Sequence, residues 1–169
     1  MRQVGPERAG RRGPALAEDH RPDGRRHRGL SQPAEPFSAT GRCLCGQVSW
    51  GVTGRLPPVG FCHCSQCRRV SGAGSNAVMH VKAERLVWLS GEAALKTYAL
   101  PSGWSTTFCE ACGCPMPHLG PHGRWFVPAG SLDGQPDLTV SGHIFVADKP
   151  GWVVIGDDGP QFAEWPPAG

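Results

Sequence analysis

The chain has 169 residues and a net charge of +3, with 24 glycines, 17 prolines, 8 cysteines and 39% hydrophobic residues. That length holds one domain with a real core, and the glycine and proline content argues for many turns rather than long helices. No apolar run reaches the length of a membrane span, and the charge excess sits at one end, so neither a membrane helix nor a basic nucleic-acid surface on the domain is expected.

Residues 1–36 hold eight arginines and five acids, which accounts for the whole excess; the rest of the chain is neutral. Residues 1–38 lack apolar periodicity and read as a disordered Arg/Gly/Pro-rich leader, with the domain proper at 39–169. An arm for an anionic partner is the functional alternative to a solvated tail. No hydrophobic signal segment follows the arginines, so the protein reads as cytoplasmic.

From Thr40 the character changes. "GQVSWGV" alternates, with Val48, Trp50 and Val52 on one face and Gln47 and Ser49 on the other, as in a half-buried strand. "CSQCRRVSG" carries a short helical turn ended by Gly72. "NAVMHV", "RLVWL", "AALKTYAL", "WSTTFC", "RWFVPAG", "HIFV" and "GWVVIG" then read as further strands. Short strands at fairly regular spacing with Gly/Pro turns indicate an all-β domain. The hydrophobic content is low for this size, so part of the chain is unpacked or metal supplements the core.

The cysteines fall in three groups: Cys43 and Cys45; Cys62, Cys64 and Cys67; Cys109, Cys112 and Cys114. In extended backbone, positions i and i+2 share a face, so Cys43/Cys45 and Cys62/Cys64 each present two sulfurs together. A tight turn brings Cys109 and Cys112 to one point, with Gly113 where a metal knuckle needs unstrained backbone. A disulfide framework needs an oxidising compartment, and a thioredoxin-like pair needs a βαβ context; neither is seen. Metal is therefore favoured, and seven cysteines divide as a closed set of four and an open set of three. One four-thiolate site plus spare thiols fits the same spacing, which also leaves open how the groups pair.

"GRCLCGQVSW", "FCHCSQCRRVSGAG", "FCEACGCPM" and the ending "SGHIFVADKPGWVVIGDDGPQFAEW" together resemble the glutathione-dependent formaldehyde-activating enzyme (GFA) family, also called the CENP-V/GFA domain. The order C-x-C, C-x-C-x-x-C, C-x-x-C is specific as a set, and the likeness runs from about Gly41 to Trp165. The resemblance implies a fold of coiled antiparallel β-sheets, the β-tent. It implies a structural zinc on Cys43, Cys45, Cys109 and Cys112. It implies a second, catalytic zinc with an open position on Cys62, Cys64 and Cys67, hence two zincs per chain. The activity implied is of carbon–sulfur lyase type on a thiol–aldehyde adduct, from glutathione and formaldehyde or a related pair. Two rivals stand beside it: a zinc-stabilised binding module without catalysis, and a thiol-based zinc or redox sensor.

Other residues weigh toward structural roles. His63 points away from its flanking cysteines in extended backbone and reads as a core or surface histidine. Cys114 departs from the family pattern and reads as a small buried hydrophobe. Arg68 and Arg69 suit either the carboxylates of a peptide thiol or the negative charge of the zinc–thiolate cluster. Ser71, Gly72 and Gly74 shape a loop, and Ser71 has no Ser-His-acid arrangement to activate it. His118 and His143 read as structural, with His118 the candidate to line the open site as an acid–base group. Core packing is the default reading for most of the six tryptophans.

Overall fold

The computed structural model describes residues 37–167. The leader therefore lies outside the described residues, Phe37 and Ser38 excepted. Eleven strands and one short helix follow in order: β1 (Ala39–Arg42), β2 (Ser49–Val52), β3 (Val59–Cys62), α1 (Ser65–Ser71), β4 (Asn76–Lys82), β5 (Leu86–Ser90), β6 (Leu95–Ala99), β7 (Ser105–Cys109), β8 (Pro115–Met116), β9 (His118–Leu119), β10 (Arg124–Pro128) and β11 (Val140–Ile144). They make three small sheets ordered β1-β2-β5, β11-β3-β4-β10-β9 and β6-β7-β8. The domain is thus all-β, as its sequence indicates. Every pairing is antiparallel except β11 on β3, which is parallel and so joins segments far apart in sequence.

The alternation in β2 and β4 decides which faces meet. Val48, Trp50 and Val52 are fully buried, as are Met79 and Val81 of β4 and Val127 of β10. Each such side chain contributes roughly 1.5–3 kcal/mol by leaving water. Gly41 of β1 lies against the Trp50 ring, where any Cβ would collide with the indole. Trp88 and Trp125 meet edge to face across the sheets at 5.8 Å. The opposite face of the five-stranded sheet, carrying Asn76, Val78, His80 and Phe126, is left uncovered by this core.

One expectation about the strands needs correction. "GWVVIG" is not a strand: residues 151–156 are irregular, with Trp152 and Val154 exposed. The free edge of β11 is taken instead by residues 160–164, through His143 N–H to the Pro160 carbonyl and Phe162 N–H to the His143 carbonyl, both 2.8 Å. With no edge to pair, an apolar run does not become a strand. Trp152 and Trp165 are exposed and lie outside the core.

Candidate metal centres and an adjoining cavity

Cys43 and Cys45 lie in the β1–β2 turn, not in extended backbone as the sequence suggests. Gly46 N–H donates to the Cys43 carbonyl at 3.0 Å, and Val48 N–H points at Cys43 Sγ at 3.3 Å. The turn still sets Cys43 and Cys45 Sγ 3.4 Å apart. Cys109 ends β7, and its carbonyl accepts from Gly113 N–H at 2.8 Å, closing a turn in which Gly113 has φ 71°. Cys45 and Cys109 Sγ are 3.8 Å apart, and all four sulfurs of Cys43, Cys45, Cys109 and Cys112 lie within 4.8 Å of one another. A tetrahedral zinc with Zn–S of about 2.3 Å holds its sulfurs about 3.8 Å apart, so the donor set fits that ion.

The second set is local. Cys62 ends β3 and Cys64 caps α1 in extended backbone, with φ −61° and ψ 159°. Cys67 lies on the first turn of α1, which Gly72 ends at φ 64° in the left-handed region. The three sulfurs lie within 4.8 Å of one another. All eight cysteines are free of disulfides.

Crowded sulfurs oppose one another's ionisation. The hydrogen bond from Cys67 pulls the Cys62 thiol down to about 6 and holds Cys67 itself well above the usual thiol range. In the first set, the backbone N–H of Cys114 leads in drawing Cys112 down to about 6. The Gln47 backbone lowers Cys45, but the neighbouring sulfurs, Cys43 foremost, outweigh it and hold that thiol at about 12. A divalent cation removes this opposition, because it stabilises every thiolate at once.

His63, set between two of these cysteines, turns its ring away from them into the interior. It is 1% exposed. Its Nδ1 faces the Gly74 carbonyl at 3.1 Å and its Nε2 faces His143 Nδ1 at 3.0 Å. His143 Nε2 faces both carboxylate oxygens of Asp157 at 3.1 Å. The chain has an acceptor at each end, so satisfying all three links takes three protons on four ring nitrogens. Burial leads in lowering the His63 pKa, and His143 adds to it. Asp157 is held low by Gly159 N–H first and by His143 next. Phe61 stacks on His143 at 4.9 Å, completing a brace between the cysteine loop, β11 and the segment near Asp157. Asp157 was not picked out in the sequence, where no local motif links it to His143.

Arg68 Nε donates to the His63 carbonyl at 3.0 Å, and Arg69 is exposed. Ser71 Oγ bridges the Arg68 and Ser75 carbonyls, as a loop-shaping residue does. Gly74 is needed because a Cβ there would run into Val153. Cys114 is half-buried, its thiol pushed up by burial, and it is not among the four clustered sulfurs.

Cys62, Cys64 and Cys67 form one wall of a cavity of about 980 Å³. Its floor is the outer face of the five-stranded sheet, where Cys62 pairs with Asn76, Gly60 with Val78, and Phe126 with both His80 and His118. The Phe126 ring lies between the two imidazoles, 4.5 Å from His80 and stacked 5.2 Å from His118. Burial lowers the pKa of both histidines, with Arg124 adding at His80 and His80 adding at His118. His80 was missed in the sequence, though its place opposite Met79 and Val81 in "NAVMHV" marks it as facing away from the core. Neither Arg68 nor Arg69 lines the cavity, nor does any cysteine of the four-sulfur set.

Among the described residues no helix is long and apolar enough to cross a membrane. The model of the family described as "Glutathione-dependent formaldehyde-activating enzyme" matches residues 38–148. A Halomonas elongata protein, provisionally named as such an enzyme, is 30% identical over 125 residues, covering 68% of this chain and 79% of its own. A crystal structure of a Rhodobacter sphaeroides protein is similar at 24% identity and a TM-score of 0.49, covering 57% of this chain and 90% of that one. The chain belongs to the glutathione-dependent formaldehyde-activating enzyme family.

Proposed function

We propose that the protein is a zinc-dependent enzyme of carbon–sulfur lyase type, acting on the adduct of a small thiol with a small aldehyde. The observation that carries this is the position of the three-thiol set: Cys62, Cys64 and Cys67 face a cavity, while the four-thiol set does not. In this reading Cys43, Cys45, Cys109 and Cys112 hold a structural zinc, and Cys62, Cys64 and Cys67 hold a second one. When bound at three thiolates, zinc supplies an open position and Lewis acidity, which deprotonate a thiol near neutral pH.

The chain's own part is to hold, orient and exclude. The three cysteines release their protons on loading. The brace from His63 through His143 to Asp157 keeps their loop in one place. The cavity walls hold the adduct against the sulfurs. In the cleavage direction the C–S bond of a thiohemiacetal breaks, its hydroxyl loses a proton to give the aldehyde, and the sulfur leaves with the electron pair as thiolate. The reverse step adds thiolate to the carbonyl carbon. Glutathione and formaldehyde, the pair in the family's description, are the first candidates. A reducing, cytoplasmic location suits eight free thiols.

The test is zinc per chain and adduct turnover on protein purified under reducing conditions, for wild type and Cys62→Ser. Two zincs falling to one with loss of turnover is the expected result. A Cys62→Ser chain keeping both zincs and full activity overturns the assignment.

A further inference from the structure

The cavity is large, walled on one side by the thiols, and otherwise free of charged side chains. Among its described lining residues there is no Arg, Lys, Asp or Glu. Phe61, Val78, Phe126, Phe145, Phe162 and Trp165 supply aromatic and aliphatic surface. Of the cations near it, Arg68 donates to the His63 carbonyl and Lys149 to the Val153 carbonyl, and the exposed Arg69 and Arg124 are not part of the lining. Glutathione at neutral pH carries two carboxylates and an ammonium. The polar side chains of the lining, Gln66, Asn76, Ser102, Ser105, Thr106 and Ser141, are all uncharged, so no ion-pair partner meets these groups inside the cavity, and the carboxylates would also face an anionic thiolate cluster.

The far end of the cavity adds a second constraint. Cys62 pairs with Asn76, and His80 lies four residues further along β4, about 13 Å away at a strand rise of about 3.3 Å per residue. His80 and His118 meet there on either side of Phe126. His80 is exposed and His118 half-buried, and burial leads in lowering the pKa of each; a neutral imidazole offers one donor and one acceptor nitrogen. Either imidazole can hydrogen-bond an uncharged polar group, while Phe126 is sandwiched between them and offers only its edge.

We infer that this site takes an elongated, uncharged and largely apolar thiol, with the sulfur at Cys62, Cys64 and Cys67 and a hydroxyl, carbonyl or amide at His118, rather than glutathione. The inference rests on the proposed function for the role of the sulfur end. It goes beyond that function in assigning a substrate class.

The test compares 4-(3-sulfanylpropyl)phenol with glutathione on the full-length, zinc-containing chain under reducing conditions. Binding is followed by quenching of tryptophan fluorescence, since Trp104 and Trp165 line the cavity. Turnover of each thiol's formaldehyde adduct is measured in parallel. The phenol thiol is expected to bind at least tenfold tighter, and His118→Leu to remove most of that advantage. Val78→Arg, which puts a cation on the cavity floor, is expected to shift the preference at least tenfold toward glutathione. The wild-type comparison decides the matter even if this variant folds poorly. Glutathione binding as tightly or tighter overturns the inference, as does binding of neither thiol. If glutathione's adduct is turned over preferentially, the lyase function stands and the inference falls. If the phenol thiol binds tighter but no adduct is cleaved, the inference stands and the lyase function falls.

Discussion

The two cysteine clusters use the same donor atom and sit in one small domain, yet they are built in opposite ways. The four-sulfur cluster draws Cys43 and Cys45 from the β1–β2 turn and Cys109 and Cys112 from the end of β7, so it ties two different sheets across more than sixty residues. Two of its members are buried. The three-sulfur cluster comes from one six-residue stretch at the junction of β3 and α1, and all its members are partly open beside the cavity. A cluster that closes a long loop stabilises the fold. A local cluster closes almost nothing, so a metal held there would add little to stability.

The largest effect should come from breaking the long-range cluster. Cys109→Ser, with the metal lost, is expected to cost more than about 4 kcal/mol and to leave a chain that is largely unfolded or insoluble. Circular dichroism with zinc analysis on the variant checks this; a cooperative thermal transition near the wild-type midpoint would contradict it. By contrast, Cys64→Ser should keep the thermal transition within about 1–2 kcal/mol of wild type while turnover falls about a hundredfold or more. A matched drop in stability for the two variants would erase the distinction between clusters.

A finer cut runs through the brace beneath the local cluster. His143→Ala leaves His63 Nε2 without its partner and removes the stack on Phe61. An unpaired buried polar group costs about 1–3 kcal/mol. Zinc affinity at the second site should fall about 10–100-fold, as for loss of a residue that orients ligands. The zinc of the four-sulfur cluster should be unaffected, which competition with a chromophoric chelator resolves as two separate phases.

The smallest effect is a pH dependence at the far end of the cavity. His80 and His118 have folded pKa values below the unfolded value of about 6.5. The unfolded chain therefore binds more protons below that pH, so their contribution is full above about pH 6.5 and is lost as the pH falls toward the folded values. Denaturation midpoints measured from pH 7.5 to 5.5 should decline on the acid side. The decline should be shallower in His80→Leu with His118→Leu, and an unchanged slope would show that other groups set it.

Much was legible in the chain because its signals are local. Alternation in "GQVSWGV" named the buried Val48, Trp50 and Val52, since strand geometry sends successive side chains to opposite faces. Gly72 marked the end of α1 because it alone takes the left-handed turn without strain. The seven cysteines declared themselves by spacing and compartment, and the family likeness told how the groups pair.

The sequence by itself thus determined the β class, the buried face around Trp50 and the grouping of the cysteines, all of which depend on neighbours within a few residues. Only the tertiary structure decided that "GWVVIG" would find no edge to pair with, that β11 would run parallel to β3, and that Asp157 would complete a chain through two buried histidines. Likewise only the fold could bring His80, Phe126 and His118 from three strands into one row facing Cys62. Those outcomes depend on which sheet edge is free and which distant segments share a face. Strand pairing settles both between residues far apart in the chain, and no local pattern records it.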